Sequence, residues 1–516
     1  MVTGRLGESR WVGIDLGTAN SVVAYVDHAG IPNSIVNFEG EVATPSKLLI
    51  EEQSVLVGRE AGKIGRQHSD KFAESFKRYM GEGQYPRPVD GRSWRPELLS
   101  ALVLRRLKRD TESRLGEVAG AVITVPAYFD EARRRATCAA AEVAGWNVID
   151  LINEPTAAAL AYAYHAGRLG ACAGADERIL VFDLGGGTMD VTLLQITHGE
   201  EYRTLATDGE VQLGGVDWDT RLRDYLADQF HQQTGVDPLA TRQGEVEFMQ
   251  LAETAKIALS QRETAKVPCV FGSHRLVLKA TRQTFEELTR DLLDRTRGTV
   301  ELVIEQAGIG WPDVNTLLTV GGSTRMPMIH QMLETLAGKR PQQDLSVDEA
   351  IAHGAALYAN LLRPHEGRKG VRVVNVNSLS YRVIAKPRGK ELVAHPLIRK
   401  NTPLPAVGRH VFRTKPGQKD CSIVICDGES ADPRDCALIG KVVVEGLPPS
   451  GTGHWLVNVR LVCRQDGKLD VDATVHDPQN HAHVVKRATA TIVPTHGMNA
   501  DEVQRARALV EMMEIT

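Results

Sequence analysis

Cysteine is scarce in this chain: seven residues in 516, scattered, with no pair at Cys-x-x-Cys spacing. That excludes the usual zinc frameworks and a disulfide scaffold, so reduced thiols and a cytoplasmic location are the default expectation. Charge of one sign is equally lacking. A formal net charge of -4 advertises neither nucleic acid nor an anionic membrane surface as a partner. The opening residues, MVTGRLGESR, hold no apolar run of signal-peptide type, and no later apolar stretch is long enough to span a bilayer. Two common nucleotide motifs are missing as well. GREAGKIG has the wrong glycine spacing for a Walker A loop and no Ser or Thr after Lys63, and no G-x-G-x-x-G opens a βαβ unit.

Glycine, by contrast, is present in an unusual arrangement. In VFDLGGGTMDVTLL, Val181 to Leu194, Gly185, Gly186 and Gly187 separate two apolar strands, with Asp183 before them and Asp190 after. A hairpin needs only one or two glycines to reach positive φ. Three together leave bare backbone that a ligand can approach closely. Exposed N–H groups there suit an anion, and a nearby carboxylate suits a cation bound to that anion. A nucleotide phosphate with a divalent metal satisfies both; a glycine-rich hairpin with two surface aspartates is the plainer alternative.

The same grammar recurs in WVGIDLGTANSVVAYVD, where Asp15 and Gly17 hold the places of Asp183 and Gly185. Two such hairpins far apart in the chain point to two similar lobes facing one ligand. A third loop, in LLTVGGSTRMPMIHQMLETL, turns the strand Leu317 to Val320 through Gly321, Gly322 and Ser323 into a helix. Met328, Ile329, Met332 and Leu333 lie on one face of that helix, whose N–H groups favour phosphate or ribose oxygens. Between the hairpins the sequence reads as a buried strand, a helix from about Asp130, a short strand around Val148 and an alanine-rich helix after Pro155. Glu154 stands at that last junction, either facing a cleft or serving as a helix N-terminal charge.

Six segments, VPAYFDEARRRAT, INEPTAAALAYAY, FDLGGGTMDVTLL, LGGVDWD, VGGSTRMPMI and DEAIAHGAAL, together resemble the 70-kilodalton heat-shock chaperone family, in family order. The resemblance covers nearly the whole chain. It implies an α/β, actin-like, two-lobed ATPase domain followed by an all-β sandwich and a short C-terminal helix. The implied boundaries are 1–366 for the ATPase domain, 367–376 for a linker, 377–496 for the peptide-binding sandwich and 497–516 for a truncated lid helix.

The resemblance also implies roles for residues of this chain. Asp15, Gly17, Thr18 and Ala19 belong to the first phosphate loop, and Gly185, Gly186, Gly187 and Thr188 to the second, with Gly214 and Gly215 beside them. Asp15, Asp183 and Asp190 orient hydrated Mg2+, with K+ nearby, and Glu154 positions the attacking water or the metal shell. FKRYMG supplies the lysine for hydrolysis, Lys77. Glu253, Lys256 and Ser260 in LAETAKIALS meet the adenosine of ATP or ADP, and Gly321, Gly322, Ser323, Arg325 and Asp348 close that pocket. Phosphoryl transfer to water needs positioning and charge neutralisation more than covalent chemistry, and these residue types supply both.

After RPHEGRKG the pattern changes to short β-type runs at regular spacing, as in a sandwich. By the resemblance, Cys421 and Ile423 line a cleft for extended hydrophobic peptides; as alternate residues they share one face of a strand and equally suit a sandwich core. A J-domain co-chaperone and a nucleotide exchange factor are the implied partners. Three positions depart from the family pattern: Asp150 for an arginine, Cys138 for a lysine and Asn375 for a linker aspartate, while Pro126 and Arg134 remain. The Asp150 exchange argues against ordinary J-domain stimulation. The rival readings are a nucleotide switch whose sandwich holds one fixed partner, and a filament former or carbohydrate kinase on the same ATPase fold.

Overall fold

Apolar strands with no polar face to expose pair where helices can cover both sides. The computed structural model describes residues 10–65, 67–169, 176–342, 345–363, 371–387, 391–450, 453–465, 468–480, 483–492 and 498–516. In it, strand Arg10–Leu16 pairs antiparallel with Asn20–Val26 and parallel with Val118–Val125. Pro32–Ser34 and Val148–Asn153 flank these three. The second sheet repeats the plan. Glu177–Leu184 pairs antiparallel with Met189–Thr197 and parallel with Thr316–Val320, and Glu201–Glu210 lies outside the hairpin. The repeated hairpin of the sequence is therefore a repeated lobe.

The alanine-rich helix Glu154–His165 and the helix Ala350–Leu362 join the two lobes at their base. Ala157, Ala158, Leu160 and Ala161 share one buried cluster with Ile179 and Val181 of the second sheet and Val122 and Ile152 of the first. Small side chains let the helix backbones nearly touch. A Cβ on Gly354 would stand 1.8 Å from the Ala157 carbonyl oxygen, so only glycine permits this approach.

The C-terminal runs form two four-stranded sheets packed as a sandwich. Along Leu469–His476 burial alternates residue by residue, with Leu469, Val471, Ala473 and Val475 inward, the period-two pattern of a half-buried strand. The sandwich sits against the ATPase lobes. Lys400 makes a nearly buried ion pair with Asp208 at 2.7 Å, and Asn401 accepts from the Thr207 amide at 3.0 Å and donates to Gln306 at 2.7 Å. The chain entering the sandwich is itself a strand: Arg372–Val374 pairs parallel with Glu201–Arg203. Residues 367–370 of the expected linker and 493–497, before the final helix, lie outside the described residues.

That final helix, Ala500–Met512, opens with a capping box in which Asn499 and Glu502 each satisfy the other's backbone N–H. It packs on the helices Pro96–Leu115 and Glu131–Val143 of the first lobe, and Ala506 and Val510 enter that lobe's core. Beyond it Glu514–Ile515 forms a strand that the sequence reading did not anticipate. Among the described residues, no helix is long and apolar enough to cross a membrane.

Candidate active site

Each lobe ends a buried strand in an aspartate followed by a glycine turn, and the two turns meet. A Cβ on Gly186 would stand 2.8 Å from the Ala19 Cβ, and one on Gly187 2.5 Å from the Thr18 side chain. Side chains at these two positions would fill the space where the hairpins face each other. The second turn is pinned from behind. Gly185 and Gly186 carbonyls accept from the Gly215 and Val216 amides at 3.0 and 2.8 Å, and Ser323 Oγ donates to Gly185 O at 2.9 Å. Thr188, buried, closes the turn through its carbonyl, which accepts from Gly185 N at 3.0 Å. Gly214 and Gly215 begin the helix Gly215–Thr234. Gly321, at φ 84°, begins the turn Gly322–Arg325; its left-handed backbone and the Asp183 oxygen beside it leave no room for a side chain.

The floor of this cleft is a cluster of carboxylates around one ammonium. Lys77, in the turn Phe76–Tyr79, places Nζ 2.7 Å from Glu154 Oε1, and both side chains are almost fully buried. Asp15 and Asp190 lie in the same field. Burial, then the charge of Glu154, pushes the Asp15 carboxyl up to about 7 and that of Asp190 up to about 8. Asp183 is raised well above the usual range by burial and by Glu154, Asp190 and Asp15. Lys77 is held charged: burial acts against it, but Glu154 and Asp15 prevail. Thr124 Oγ1 donates to Asp15 Oδ1 at 3.1 Å and the Tyr128 amide to Asp190 Oδ1 at 2.9 Å. Asp183 Oδ2 is buried with no hydrogen-bond partner.

Four carboxylates against one lysine, with one oxygen orphaned, make a donor set suited to a hard divalent cation such as magnesium. Among the described residues no three of His, Cys, Asp and Glu converge as direct ligands.

The wall beyond the phosphate loops comes from the helix Arg242–Gln261. Lys256 Nζ lies 2.7 Å from Asp219 and 3.2 Å from Gly215 O, and Ser260 Oγ donates to Lys256 O at 3.1 Å. Glu253 accepts from Lys47 at 3.2 Å; although burial acts the other way, Lys47 and Lys256 hold its carboxyl below the usual range. Thr18, Ala19, Lys47, Asp219 and Glu253 line one cavity of about 160 Å³. On the opposite wall Arg325 pairs with Asp348 at 2.6 Å, half exposed, and Gly322 lies beside Asp348. The structure thus brings together the residues read as phosphate loops, metal shell and adenosine clamp. Cys421 and Ile423 lie apart from them, in the sandwich: Ile423 is in the core and Cys421 packs against it.

Sequence reading missed the ties between the lobes. Arg78 grips both oxygens of Asp217 at 3.1 Å, linking the Lys77 turn to the start of the helix Gly215–Thr234, where Asp217 also accepts from the Gly214 amide at 2.8 Å. Both residues sat inside motifs already singled out, and their opposite charge was the available signal. Lys47 had none, since its partner Glu253 is 206 residues away.

The altered positions line a second groove, of about 630 Å³, between the first lobe, the entering strand and the sandwich. There Arg134 donates to Asn153 Oδ1 at 2.8 Å, and Asn153 reaches Asn375 at 3.4 Å. Asp150 accepts from the Tyr358 hydroxyl at 2.9 Å, and burial raises the Cys138 thiol to about 11.

Comparison with known proteins agrees with this architecture. The family model described as Hsp70 protein matches residues 11–88 and 84–514. The chain is 36% identical over 504 residues to the chaperone protein DnaK of Thermotoga petrophila, covering 96% of this chain and 82% of that protein. It is 35% identical over 503 residues to the DnaK of Thermosipho africanus, covering 96% and 81%. Against the DnaK of Halobacterium salinarum it is 37% identical over 476 residues, covering 91% and 73%. A two-lobed ATPase fold, a β-sandwich and a match along nearly the full length place the chain in the Hsp70 family.

Proposed function

We propose that this protein is an ATP-dependent molecular chaperone of Hsp70 type, in which ATP binding and hydrolysis control the grip of the sandwich on extended hydrophobic peptides. The buried Lys77–Glu154 pair, set among Asp15, Asp183 and Asp190 between two glycine hairpins, is the observation that carries the reading. The functional division follows the boundaries 1–366, 367–376, 377–496 and 497–516.

The hairpin amides around Gly17, Thr18, Ala19 and Gly185 to Thr188 hold the phosphates, and Lys256, Glu253, Ser260 and Arg325 the adenosine. Asp15, Asp183 and Asp190 hold magnesium through its water shell. When bound, magnesium neutralises phosphate charge and relieves the repulsion among these carboxylates. Glu154 is placed to orient the attacking water, and Lys77 to stabilise the charge that develops on the transferred phosphoryl group. Positioning without a strong general base accounts for a slow basal turnover, and potassium is the monovalent ion the site would accept. Cys421 and Ile423 contribute to the floor of the peptide cleft. An exchange factor and a J-domain protein are the classes of partner, the latter with altered chemistry at Asp150.

The test is a peptide array probed with and without ATP. Many apolar peptides, released on adding ATP, support the chaperone reading; one tightly held partner points instead to a dedicated switch.

A further inference from the structure

Two cysteines of the sandwich stand apart from the nucleotide cleft and from the sandwich's apolar core. The strands Cys421–Asp427 and Ala437–Val444 pair antiparallel, with Cys426 opposite Leu438 and Asp427 opposite Ala437. Ile423 and Ile425 point into the core. Cys426, the next residue, therefore points to the other face of the strand, and it is fully buried there. Continuing the register sets Cys436 opposite Gly428, a diagonal neighbour of Cys426 on that same face. The register shift at Ile425 and Cys426 is a bulge, which strengthens the local twist and draws one diagonal together.

The two thiols meet side chain to side chain, and Cys436 Sγ donates to Ser430 O at 3.4 Å. Gly428, at φ 135°, leaves room for this: a Cβ there would stand 3.1 Å from Cys436 Sγ. Arg382, opposite Cys426 on the strand Tyr381–Ala385, holds the connecting loop in place. Its guanidinium donates to Gly428 O at 2.7 Å and to Glu429 O at 2.6 Å. Burial, then the Cys436 thiol beside it, raises the Cys426 thiol, with Arg382 acting the other way. Cys426 is thus a poor first nucleophile, whereas Cys436 is only half-buried and open to small solutes.

We propose that Cys426 and Cys436 form a reversible oxidation site, a dithiol that hydrogen peroxide converts to an intramolecular disulfide closing the 426–436 loop. The Cys436 sulfur attacks one peroxide oxygen and breaks the O–O bond, giving its sulfenic acid and one water. Cys426 then attacks that sulfur as its thiol proton leaves. The S–S bond forms and the sulfenic oxygen departs as a second water. Two thiols lose two electrons in all, and one peroxide is reduced to two waters. A dithiol reductant reverses the step by thiol–disulfide exchange. Neither cysteine lines the nucleotide cleft, so the site goes beyond the chaperone reading and stands without it.

Peptide mapping of the full chain tests the pairing. The folded parent is treated with hydrogen peroxide, its remaining thiols are blocked with N-ethylmaleimide, and non-reduced fragments are sequenced by mass spectrometry. A link between Cys426 and Cys436 should exceed any link to Cys421 or another cysteine by about tenfold or more, and dithiothreitol should remove it. In urea, where the strand register is lost, Cys421 should compete with both. Cys426→Ser should stop the reaction at a Cys436 sulfenic acid that dimedone traps, and Cys436→Ser should slow oxidation of Cys426 by about tenfold or more. Links only between molecules, an even spread of disulfides, or sulfinic acid at Cys436 with Cys426 still free overturns the proposal. The mapping is done on the parent, so it decides the matter even if a variant fails to fold.

Discussion

The Lys77 ammonium lies 2.7 Å from the Glu154 carboxylate, with side chains only 3% and 6% exposed. Two groups this deeply buried are costly unless they serve each other or a ligand. Replacing Lys77 by Ala removes the one positive charge among four carboxylates. Single-turnover ATP hydrolysis should fall by on the order of 10²-fold or more, as for loss of one preorganised electrostatic group. ATP affinity should change far less, because the glycine turns and the Lys256 wall remain. Unchanged hydrolysis would remove Lys77 from the chemistry.

Arg78 and Asp217 tie the lobes across the cleft through two bonds of 3.1 Å. The bidentate geometry matters, so Arg78→Lys is not conservative here. Arg78→Asp should speed ADP release by about tenfold, the effect of losing roughly 1.4 kcal/mol of cleft closure. The double exchange Arg78→Asp/Asp217→Arg should recover part of that loss. Stopped-flow release of a fluorescent ADP measures both, and equal rates in parent and Arg78→Asp would show that this pair does not hold the lobes.

The glycine hairpins were legible because their requirement shows in the local sequence: Gly186 and Gly187 must be small where Ala19 and Thr18 of the other hairpin approach them. Helix faces were legible for the same reason, and Met328, Ile329, Met332 and Leu333 are all buried as their spacing implied. Pairing between distant segments left no local trace. Nothing in Glu514, Ile515 and Thr516 announces a partner at Ser54–Val57, and Arg372–Val374 reads as well for a sandwich strand as for an added strand of the second lobe. The nucleotide cleft could be assembled on paper from motifs; the ties that close it, Arg78–Asp217 and Lys47–Glu253, could not.

The contact between sandwich and ATPase domain carries a titrating group. Asp427 lines a cavity of about 220 Å³ with Glu82, Asp130, Glu131 and Arg133. Burial first, then Asp130, raises its carboxyl from 3.8 to about 7, with Arg133 acting the other way. A raised folded value means stability present below the unfolded value and lost as pH climbs through about 7. The melting temperature of the parent should therefore drop more than that of Asp427→Asn between about pH 6 and about pH 8.5, by a few degrees. Parallel pH profiles would show that Asp427 does not couple to stability.

Asp150 is exposed and engaged by the Tyr358 hydroxyl at 2.9 Å. A co-chaperone presenting an aspartate at this surface would meet a carboxylate instead of a guanidinium, and like charges in contact repel. A generic J-domain protein should stimulate the parent ATPase poorly and Asp150→Arg several-fold better. Strong stimulation of the parent overturns this. If neither responds, Cys138→Lys and Asn375→Asp are the next exchanges to assay.

The central claim, that nucleotide state controls peptide grip, is tested most directly by the release of one fluorescent, extended apolar peptide from the full chain. With magnesium present, ATP should release the peptide about tenfold or more faster than ADP does, a difference of roughly 1.4 kcal/mol in barrier. Lys77→Ala should still show that ATP-triggered release, because the glycine turns and the Lys256 wall proposed to hold ATP remain in that variant. Release at one rate with ATP, ADP or no nucleotide would contradict the account.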